Sequence, residues 1–375
     1  MGNKCKDTPR DNQRTYMKQK IAIIGTVGLP AKYGGFETLV EHLSLQLSSK
    51  LDLYVYCSSI TYRNKPKTHN NARLYYLPLK ANGIQSILYD MISIIHALFY
   101  ADTLLILGVS GCFILPFIRL FSKKKIIVNI DGLEWKRNKW GKYAKKFLRF
   151  SEMLAVRYAD SIIADNKEIQ RHVQTEYSKE SILIAYGGDH TKFESITNQT
   201  FEKYPFLKHE YAFKVCRIEP ENNIEMILKA FSQKATCNLV IVGNWNHSDF
   251  SREMYHIYNH FENIHLLNSI YDQTILNQIR CGAKLYIHGH SAGGTNPSLV
   301  EAMSLSLPIF AYAVNYNMET TLNQALFFKD SAELLLLIEK MKDIDLDFYG
   351  QKMKEIASQH YVWSVIAEKY FLHLG

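Results

Sequence analysis

Short apolar runs alternate along the chain with longer segments in which apolar residues recur every three or four positions. In the first half the runs are KIAIIG, LDLYVYC, RLYYLPL, DTLLILG, KIIVNID, DSIIAD and SILIAYG. The segments between them, such as FETLVEHLSLQL and SILYDMISIIHALF, have the period of an amphipathic helix. Near-continuous apolar strands separated by helices predict a parallel sheet that is covered by helices on both faces.

The same alternation begins again after a polar stretch at residues 189–210. Its strands are predicted at YAFKVCR, NLVIVGN, NIHLLN, AKLYIHG, PIFAYA and ALFFK, and helical segments close the chain. The pattern therefore predicts a disordered tail (1–17), a Rossmann-like N-terminal domain (18–190), a linker (191–210), a second Rossmann-like domain (211–345) and C-terminal helices (346–375). Ligands of such sheets bind beyond the carboxyl ends of the strands, so two facing sheets create one cleft.

Composition and charge narrow the class of protein. The chain has 375 residues, 47% of them hydrophobic and 21% charged, as in a soluble globular protein. A net charge of +8 favours an acidic partner, and scattered cysteines without a Cys-x-x-Cys pair favour a reduced, cytoplasmic protein. The N-terminus lacks the apolar core of a secretory signal. The longest uncharged run, 103–118, is too short to span a bilayer and is interpreted as a core element, with a lipid-contacting patch as the alternative.

The loop after the first strand is rich in glycine. Gly25, Gly28, Gly34 and Gly35 fit neither the dinucleotide fingerprint nor a Walker A loop. Gly34 and Gly35 come directly before a predicted helix, whose free amides are suited to bind an anion. A tight turn between strand and helix is the alternative.

The loop NIDGLEWKR follows another strand, with Asp131, Gly132 and Glu134 at the strand exit and Lys136 and Arg137 behind them. The next helix carries its basic residues on one face: Lys142, Lys145, Lys146 and Arg149. A basic helix flanked by tryptophans is typical of contact with anionic headgroups, and a solvated charged face is the alternative. No nucleic-acid-binding module accompanies these residues.

Two constellations belong to the second domain. Arg217 ends its first strand, where a guanidinium clamps a diphosphate well; an ion pair with Glu219 or Glu221 is the alternative. The second is HGHSAGGTNPSLVEAM, in which Pro297 fits the first helical turn with Asn296 or Thr295 as cap, so that free amides face a phosphate. Glu301 lies one turn further on, where its carboxylate would accept ribose hydroxyls. His288 and His290 lack further partners for a metal.

These motifs resemble a known family. KYGGFE, YADSIIADN, CRIEPEN and VEAM together resemble family-4 glycosyltransferases of the GT-B fold. More narrowly, GLPAKYGGFET, DGLEWKR, CRIEPENN and GGTNPSLVEAM resemble bacterial rhamnosyltransferases of polysaccharide assembly. That resemblance extends from about Lys18 to the C-terminus. It implies two Rossmann-like domains facing a cleft, with C-terminal helices packing back toward the first domain.

The resemblance also implies roles for particular residues. Arg217 would hold the donor diphosphate, Glu301 would bind the ribose, and Asp131 would stand near the place of the wider family's His-Asp pair. Asp131, Arg217 and Glu301 are therefore the candidate catalytic residues. The other donor-binding candidates are Gly243, Asn244, His290, Gly293, Gly294, Thr295 and Asn296. Candidates for acceptor or phosphate binding are Gly34, Gly35, Glu134, Lys136 and Arg137.

Three positions depart from the wider family's pattern: Asn222 and Asn223 replace a basic residue, Gly293 replaces the first glutamate of a Glu-x7-Glu pair, and the histidine of the His-Asp pair is missing. The resemblance implies transfer of L-rhamnose from dTDP-β-L-rhamnose, β-1,4 and with retention, without a metal or other cofactor. The acceptor would be a glucose or N-acetylglucosamine on a lipid diphosphate at the inner face of the plasma membrane. Alternatives are a UDP-sugar transferase, a nucleotide-sugar epimerase and a non-catalytic nucleotide-sugar-binding module.

Overall fold

The computed structural model describes residues 18–32, 34–130, 132–137, 140–233 and 236–375. Within them the N-terminal part forms an eight-stranded sheet with the strand order β3-β4-β2-β1-β5-β6-β7-β8, parallel except for the β3–β4 pair. Its strands are β1 (Lys20–Ile24), β2 (Asp52–Ser58), β3 (Thr68–His69), β4 (Ala72–Leu77), β5 (Thr103–Leu107), β6 (Lys125–Ile130), β7 (Ser161–Ala164) and β8 (Ile182–Leu183).

Helices from this part of the chain cover both faces of the sheet. They are α1 (Gly35–Leu47), α2 (Gln85–Ala97), α3 (Leu115–Phe121), α4 (Lys142–Tyr158) and α5 (Lys167–Tyr177). Helix α1 packs on one face through Leu39 and Leu43. Helices α2 to α5 pack on the opposite face through residues such as Ile94, Leu115 and Ala155. The predicted doubly covered parallel sheet is confirmed, and the short antiparallel strand β3 is an addition to it.

The residues predicted as a linker are partly folded. Helix α6 (Asn198–Lys203) and a 3-10 turn (Pro205–Lys208) lie in this stretch. Ile196, Phe201 and Leu207 pack into the core of the second domain. The second domain therefore begins earlier in the chain than the apolar pattern indicates, because a polar stretch with isolated apolar residues gives no periodic signal.

The second sheet has six parallel strands in the order β11-β10-β9-β12-β13-β14 among the described residues. They are β9 (Tyr211–Val215), β10 (Asn238–Val242), β11 (Ile264–Leu267), β12 (Leu285–His288), β13 (Ile309–Tyr312) and β14 (Leu326–Phe328). The helices are α7 (Ile224–Phe231), α8 (Asp249–Tyr258), α9 (Gln273–Cys281), α10 (Pro297–Ser304), α11 (Asn315–Thr320) and α12 (Ser331–Glu339).

The chain ends in α13 (Leu346–His360) and α14 (Trp363–Leu374), separated by a break at Tyr361 and Val362. Helix α13 stays with the second domain, where Met353 and Ile356 are part of the core. Helix α14 crosses to the first domain, and Trp363, Ile366 and Tyr370 join the core beneath α1. The expected return of the C-terminal helices toward the first domain is thus made by α14 alone.

Candidate active site in the cleft between the two domains

The first turns of helices α1 and α10 face the same cleft from opposite domains. A Cβ atom placed on Gly35, the first residue of α1, would lie 3.7 Å from Cγ of Pro297, the first residue of α10. The backbone N–H groups of a first helical turn have no partners within the helix and carry the positive end of the helix dipole. On the α10 side Pro297 has no N–H, and the Ser298 and Leu299 N–H groups bond to Asn296. An anion between the domains would therefore meet the first amides of α1 and the positive end of the α10 dipole, together with the backbone of the loop before α10.

The loop that leads into α1 is held by a buried carboxylate. Glu37 accepts hydrogen bonds from the Val27 amide (2.7 Å) and the Thr26 hydroxyl (3.0 Å). Burial raises the pKa of Glu37, while these bonds and the charge of Arg217 oppose the rise. Gly34 has a φ of 136°, and a Cβ there would lie 1.8 Å from Oε2 of Glu37. The glycine pattern predicts a role for Gly34 but gives no sign of Glu37. The Glu37 carboxylate occupies the space that a side chain at residue 34 would need.

The loop before α10 rests on the end of strand β7. The Thr295 hydroxyl donates to the backbone carbonyl of Asp165 (2.5 Å), and a Cβ on Gly294 would lie 1.8 Å from Oδ1 of Asp165. Asn296 is the helix cap, since its Oδ1 accepts from the Ser298 amide (3.1 Å). The prediction of Pro297 in the first turn with Asn296 as a cap is confirmed. The Thr295 hydroxyl is therefore engaged within the protein and is not available to a ligand.

Arg217 follows strand β9 and points across the cleft. Its side chain is 42% exposed, and its Nη1 lies 3.8 Å from Oε1 of Glu219, a long ion pair. Its charge reaches Glu37 of the first domain and His290 of the second. The two sequence interpretations of Arg217 are therefore compatible: the ion pair exists, and it leaves the guanidinium free to meet a ligand.

His290 is neutral and has a defined tautomer. Asn222 donates through Nδ2 to the Arg217 carbonyl (2.8 Å), so its Oδ1 accepts from Nδ1 of His290 (3.0 Å). Burial, together with the charges of Arg137, Lys214 and Arg217, lowers the pKa of His290 to about 3. The remaining ring nitrogen, Nε2, lies beside the Gly293 position, where a Cβ would lie 3.3 Å away.

The first domain contributes a second guanidinium to this region. Arg137 is buried, and its Nε lies 3.0 Å from Oε2 of Glu134. Its charge acts on His290 and on Glu221, both from the second domain. Arg137 and Arg217 therefore approach the cleft from opposite domains, and their positive charges are concentrated where the helix amides also point.

Glu301 is held by partners that the sequence did not reveal. Its Oε2 accepts from Nη2 of Arg280 (2.6 Å) and its Oε1 lies 3.3 Å from Nε2 of His190. Trp363 donates to Nδ1 of His190 (3.0 Å), so Nε2 of His190 carries the proton that faces Glu301. Burial would raise the pKa of Glu301, but Arg280 and His190 outweigh it, and the pKa lies below its ordinary value. Glu301 is therefore ionised and fixed in place.

The other predicted site residues are placed as follows. Gly243 is buried, and a Cβ there would lie 2.7 Å from the Cys216 carbonyl, next to Arg217, while Asn244 is exposed. Lys136 is exposed, with Nζ 5.3 Å from the ring centroid of Trp135, and Glu134 also accepts from Trp140 Nε1 (2.9 Å). Asp131 lies outside the described residues. Among those that are described, no group of three His, Cys, Asp or Glu side chains is positioned to hold a metal ion.

Both domains match known protein families. Residues 196–346 match the profile of glycosyl transferases group 1. The second domain is a glycosyl transferases group 1 domain, and the chain is therefore a glycosyltransferase. Residues 18–189 of this glycosyltransferase match a domain of unknown function, DUF1972. No curated protein sequence matches it significantly.

Solved structures support the fold assignment. Sucrose-phosphate synthase from Thermosynechococcus elongatus superposes with a TM-score of 0.79 at 16% identity, over 95% of this chain and 98% of that one. HepE of Anabaena, solved in complex with UDP, superposes with a TM-score of 0.70 at 14% identity, over 96% and 99% of the two chains. The catalytic domain of starch synthase IV from Arabidopsis thaliana, bound to ADP and acarbose, gives 0.70 at 12% identity, over 95% and 98%. The expected GT-B architecture is confirmed.

A prediction concerns the contact between the two loops that line the cleft. A Cβ on Gly132 would lie 2.1 Å from Cα of Gly293, and backbone cannot yield to it as a flexible side chain would. Gly132→Ala is therefore expected to displace the loop before α10 and to lower kcat/KM about a hundredfold, the cost of a misplacement near 1 Å. Steady-state kinetics measure the effect. Gly141→Ala is the matched control, because a Cβ there meets nothing within 4 Å; equal activity of the two variants would contradict the prediction.

Proposed function

We propose that this glycosyltransferase moves L-rhamnose from dTDP-β-L-rhamnose, through a β-1,4 linkage, onto a glucose or N-acetylglucosamine of an undecaprenyl-diphosphate-linked acceptor in polysaccharide synthesis. The four motifs in the order GLPAKYGGFET, DGLEWKR, CRIEPENN and GGTNPSLVEAM support the choice of sugar. The single observation that carries the reaction class is the convergence of Arg137, Arg217, the first turn of α1 and the loop before α10 on one cleft. Such a cleft suits the diphosphate of a nucleotide sugar.

Charge neutralisation is the main catalytic contribution in this proposal. When the bond between the sugar and the diphosphate breaks, negative charge develops on the leaving phosphate. Donors that are already oriented toward that charge lower the barrier without reorganising. Arg217 would bind the diphosphate from the second domain, and Arg137 would bind it from the first. Arg137 would thus supply, from across the cleft, the positive charge that Asn222 does not. No metal ion is required to balance the diphosphate.

Retention follows in this proposal from attack on the face that the donor phosphate leaves. The leaving phosphate oxygen accepts the proton of the acceptor hydroxyl while that hydroxyl oxygen forms the new bond to the anomeric carbon. The β-linked donor sugar then yields a β-linked product and free dTDP. Glu301, held by Arg280, would accept the ribose hydroxyls, and the neutral His290 would offer Nε2 to a hydroxyl near Gly293. Asp131 would orient the acceptor hydroxyl.

The lipid-linked acceptor places the enzyme at the inner face of the plasma membrane as a peripheral protein. Among the described residues no helix is long and apolar enough to cross a bilayer. In α4, Arg149 is paired with Glu176 at 2.9 Å, whereas Lys142 and Lys146 are exposed. These lysines support electrostatic attraction to anionic lipids.

A UDP-sugar donor is the second candidate. Its support is the structural similarity to HepE, which shares the fold at 13–14% identity. HepE was solved in complex with UDP and with UDP-glucose. An epimerase would form product without an acceptor, and a binding module would bind the nucleotide sugar without releasing the nucleotide.

A donor panel tests the proposal. Purified enzyme is incubated with dTDP-rhamnose, UDP-glucose, UDP-N-acetylglucosamine or GDP-mannose and an undecaprenyl-diphosphate-linked glucose or N-acetylglucosamine, and the product linkage is read by NMR. We expect turnover with dTDP-rhamnose to exceed that with each other donor by at least about a hundredfold, the discrimination that a shaped pocket achieves. Preference for a UDP sugar would overturn the donor assignment. Product without acceptor would overturn the reaction class.

A further inference from the structure

Three neighbouring helices of the first domain present an exposed apolar surface. Helices α2, α3 and α4 lie side by side on one face of the first sheet, with Ile94, Leu115 and Ala155 buried beneath them. Phe113 connects α3 to α4, since its ring centroid lies 5.9 Å from that of Phe147 and 6.3 Å from that of Phe150. Gly111 packs against Asp90 and Ile94 of α2. The outer sides of the three helices therefore form one continuous face.

The outer side of α2 is almost entirely apolar. In the fully described stretch 84–99, seven residues are exposed, and only Gln85 and His96 among them are polar. The other five, at spacings of three or four residues, fall within one side of a helix. They are Ile84, Leu88, Ile92, Ile95 and Phe99. The only formal charge in α2 is Asp90, which is buried.

Helix α3 repeats this arrangement more sharply. In the fully described stretch 113–121, every exposed residue is large and apolar: Phe113, Phe117, Leu120 and Phe121. Phe121 is 89% exposed, and on α2 Phe99 is 84% exposed. A soluble monomer rarely leaves a contiguous apolar patch of this kind uncovered unless the patch is an interaction site. We call the nine exposed apolar residues of 84–121 the apolar face.

Positive charge borders the apolar face. Lys80 precedes α2, Lys123 follows α3, and α4 carries Lys142 and Lys146, all exposed. Tyr143 lies between these two lysines and is 88% exposed. An apolar strip with lysines at its margin is the arrangement of a protein that rests in the interface of an anionic bilayer. A twofold contact between two copies would instead bring equal positive margins together.

We propose that the apolar face inserts into the anionic lipid interface and that the surrounding lysines bind the headgroups. This proposal rests on the proposed function only for its biological purpose, which is the delivery of a lipid-linked acceptor. The observations that support it do not depend on that function. The loop that leads into α3 lies beside the cleft, because a Cβ on Gly108 in that loop would lie 3.5 Å from the Phe36 ring next to Gly35. The start of α3 therefore joins the apolar face to the side of the domain that carries the site. The basic helix α4 alone is not the anchor; it is the electrostatic border of an apolar anchor.

Vesicle flotation of the full chain tests this directly, without any sugar substrate. We expect binding to vesicles of phosphatidylglycerol and phosphatidylethanolamine and weak binding to phosphatidylcholine. Phe99→Ser/Phe121→Ser is expected to weaken binding at least about tenfold, since two large apolar side chains lose their burial. The matched control is Phe193→Ser/Leu336→Ser, which removes two exposed apolar side chains outside the face. Equal binding by the two double variants would overturn the proposal.

Three further measurements separate the remaining outcomes. Leu120→Trp should add a fluorescence signal that brominated lipids quench, and absence of quenching with bound vesicles would overturn insertion. If the wild-type chain is a dimer in solution that Phe99→Ser/Phe121→Ser dissociates while vesicle binding persists, the face is a contact between copies. Turnover with a short-chain soluble acceptor should remain at wild-type level in Phe99→Ser/Phe121→Ser and fall only with acceptor in vesicles. A failure of the rhamnosyl assay in all variants would challenge the proposed function and leave the flotation result intact.

Discussion

Arg217→Ala is expected to lower kcat/KM for the donor about a thousandfold, the upper end of what removal of one charge-stabilising donor costs an enzyme. The guanidinium lies at the end of β9 and faces the first domain, where its charge reaches Glu37. Its one described ion pair, with Glu219, is long at 3.8 Å and its guanidinium is 42% exposed, so the pair contributes little to stability. The loss should therefore appear in catalysis and in nucleotide binding and leave the thermal transition unchanged.

Two control variants show which property of Arg217 matters and whether the effect is specific to this arginine. Arg217→Lys retains the charge but loses the fork geometry of the guanidinium, so its kcat/KM should fall between those of the wild type and Arg217→Ala. Arg252→Ala removes another exposed arginine of the same domain, which is paired with Asp249, and should behave as wild type. Steady-state kinetics and calorimetric titration with dTDP measure both effects. Wild-type kinetics in Arg217→Ala would remove the arginine from the site.

The site depends on contacts that cross between the domains, and these contacts bear on how the charge of a bound donor is neutralised. Gly132 touches Gly293, and Gly35 approaches Pro297, so both domains line the cleft in which the diphosphate is proposed to bind. The cation that the second domain lacks at Asn222 has a counterpart in Arg137 of the first domain. In the proposed function, a donor bound only by the second domain would be incompletely neutralised, and Arg137 of the first domain would complete the charge balance.

The architecture was readable from the sequence because parallel strands that are buried on both faces appear as near-continuous apolar runs. KIAIIG, KIIVNID and NLVIVGN became β1, β6 and β10 for this reason. The two-residue strand β3 has no such run, since within the described ranges it pairs only with the antiparallel strand β4 at the sheet edge. The boundary between α13 and α14 also went unnoticed, because apolar spacing continues through Tyr361 and Val362.

The candidate site was only partly readable. Loops at strand ends are recognisable in the sequence by their glycines and by a helix cap such as Asn296. Gly35, Arg217 and Glu301 could therefore be proposed from local spacing. The residues that hold Glu301 could not. His190 lies in a polar stretch and Trp363 at the start of the last helix, and they meet only because α14 returns to the first domain. Arg280 ends an ordinary amphipathic helix, and nothing in its neighbours indicates a carboxylate partner.

The second large expected effect is on stability and concerns this buried pair. Glu301→Ala leaves Arg280, which is 2% exposed, without its carboxylate. A buried charge that loses its partner costs about 3–5 kcal/mol, far more than the pair itself contributes. We therefore expect the free energy of unfolding of Glu301→Ala, measured by urea denaturation, to fall by about that amount. Glu319→Ala, which removes a carboxylate paired with the exposed Lys167, is the control and should change stability by less than about 1 kcal/mol.

A double-mutant cycle separates the structural role of Glu301 from its role toward the donor. In Glu301→Ala/Arg280→Met no buried charge is left unpaired, so most of the lost stability should return. Because the folded-state pKa of Glu301 lies below its ordinary value, the contribution of the pair is complete above the unfolded-state pKa and is lost as pH falls through the folded-state pKa. The free energy of unfolding of the wild type should therefore fall relative to that of the double variant only at acidic pH. If Glu301 binds the ribose, activity stays low in the stable double variant; a return of activity along with stability would make Glu301 a purely structural residue.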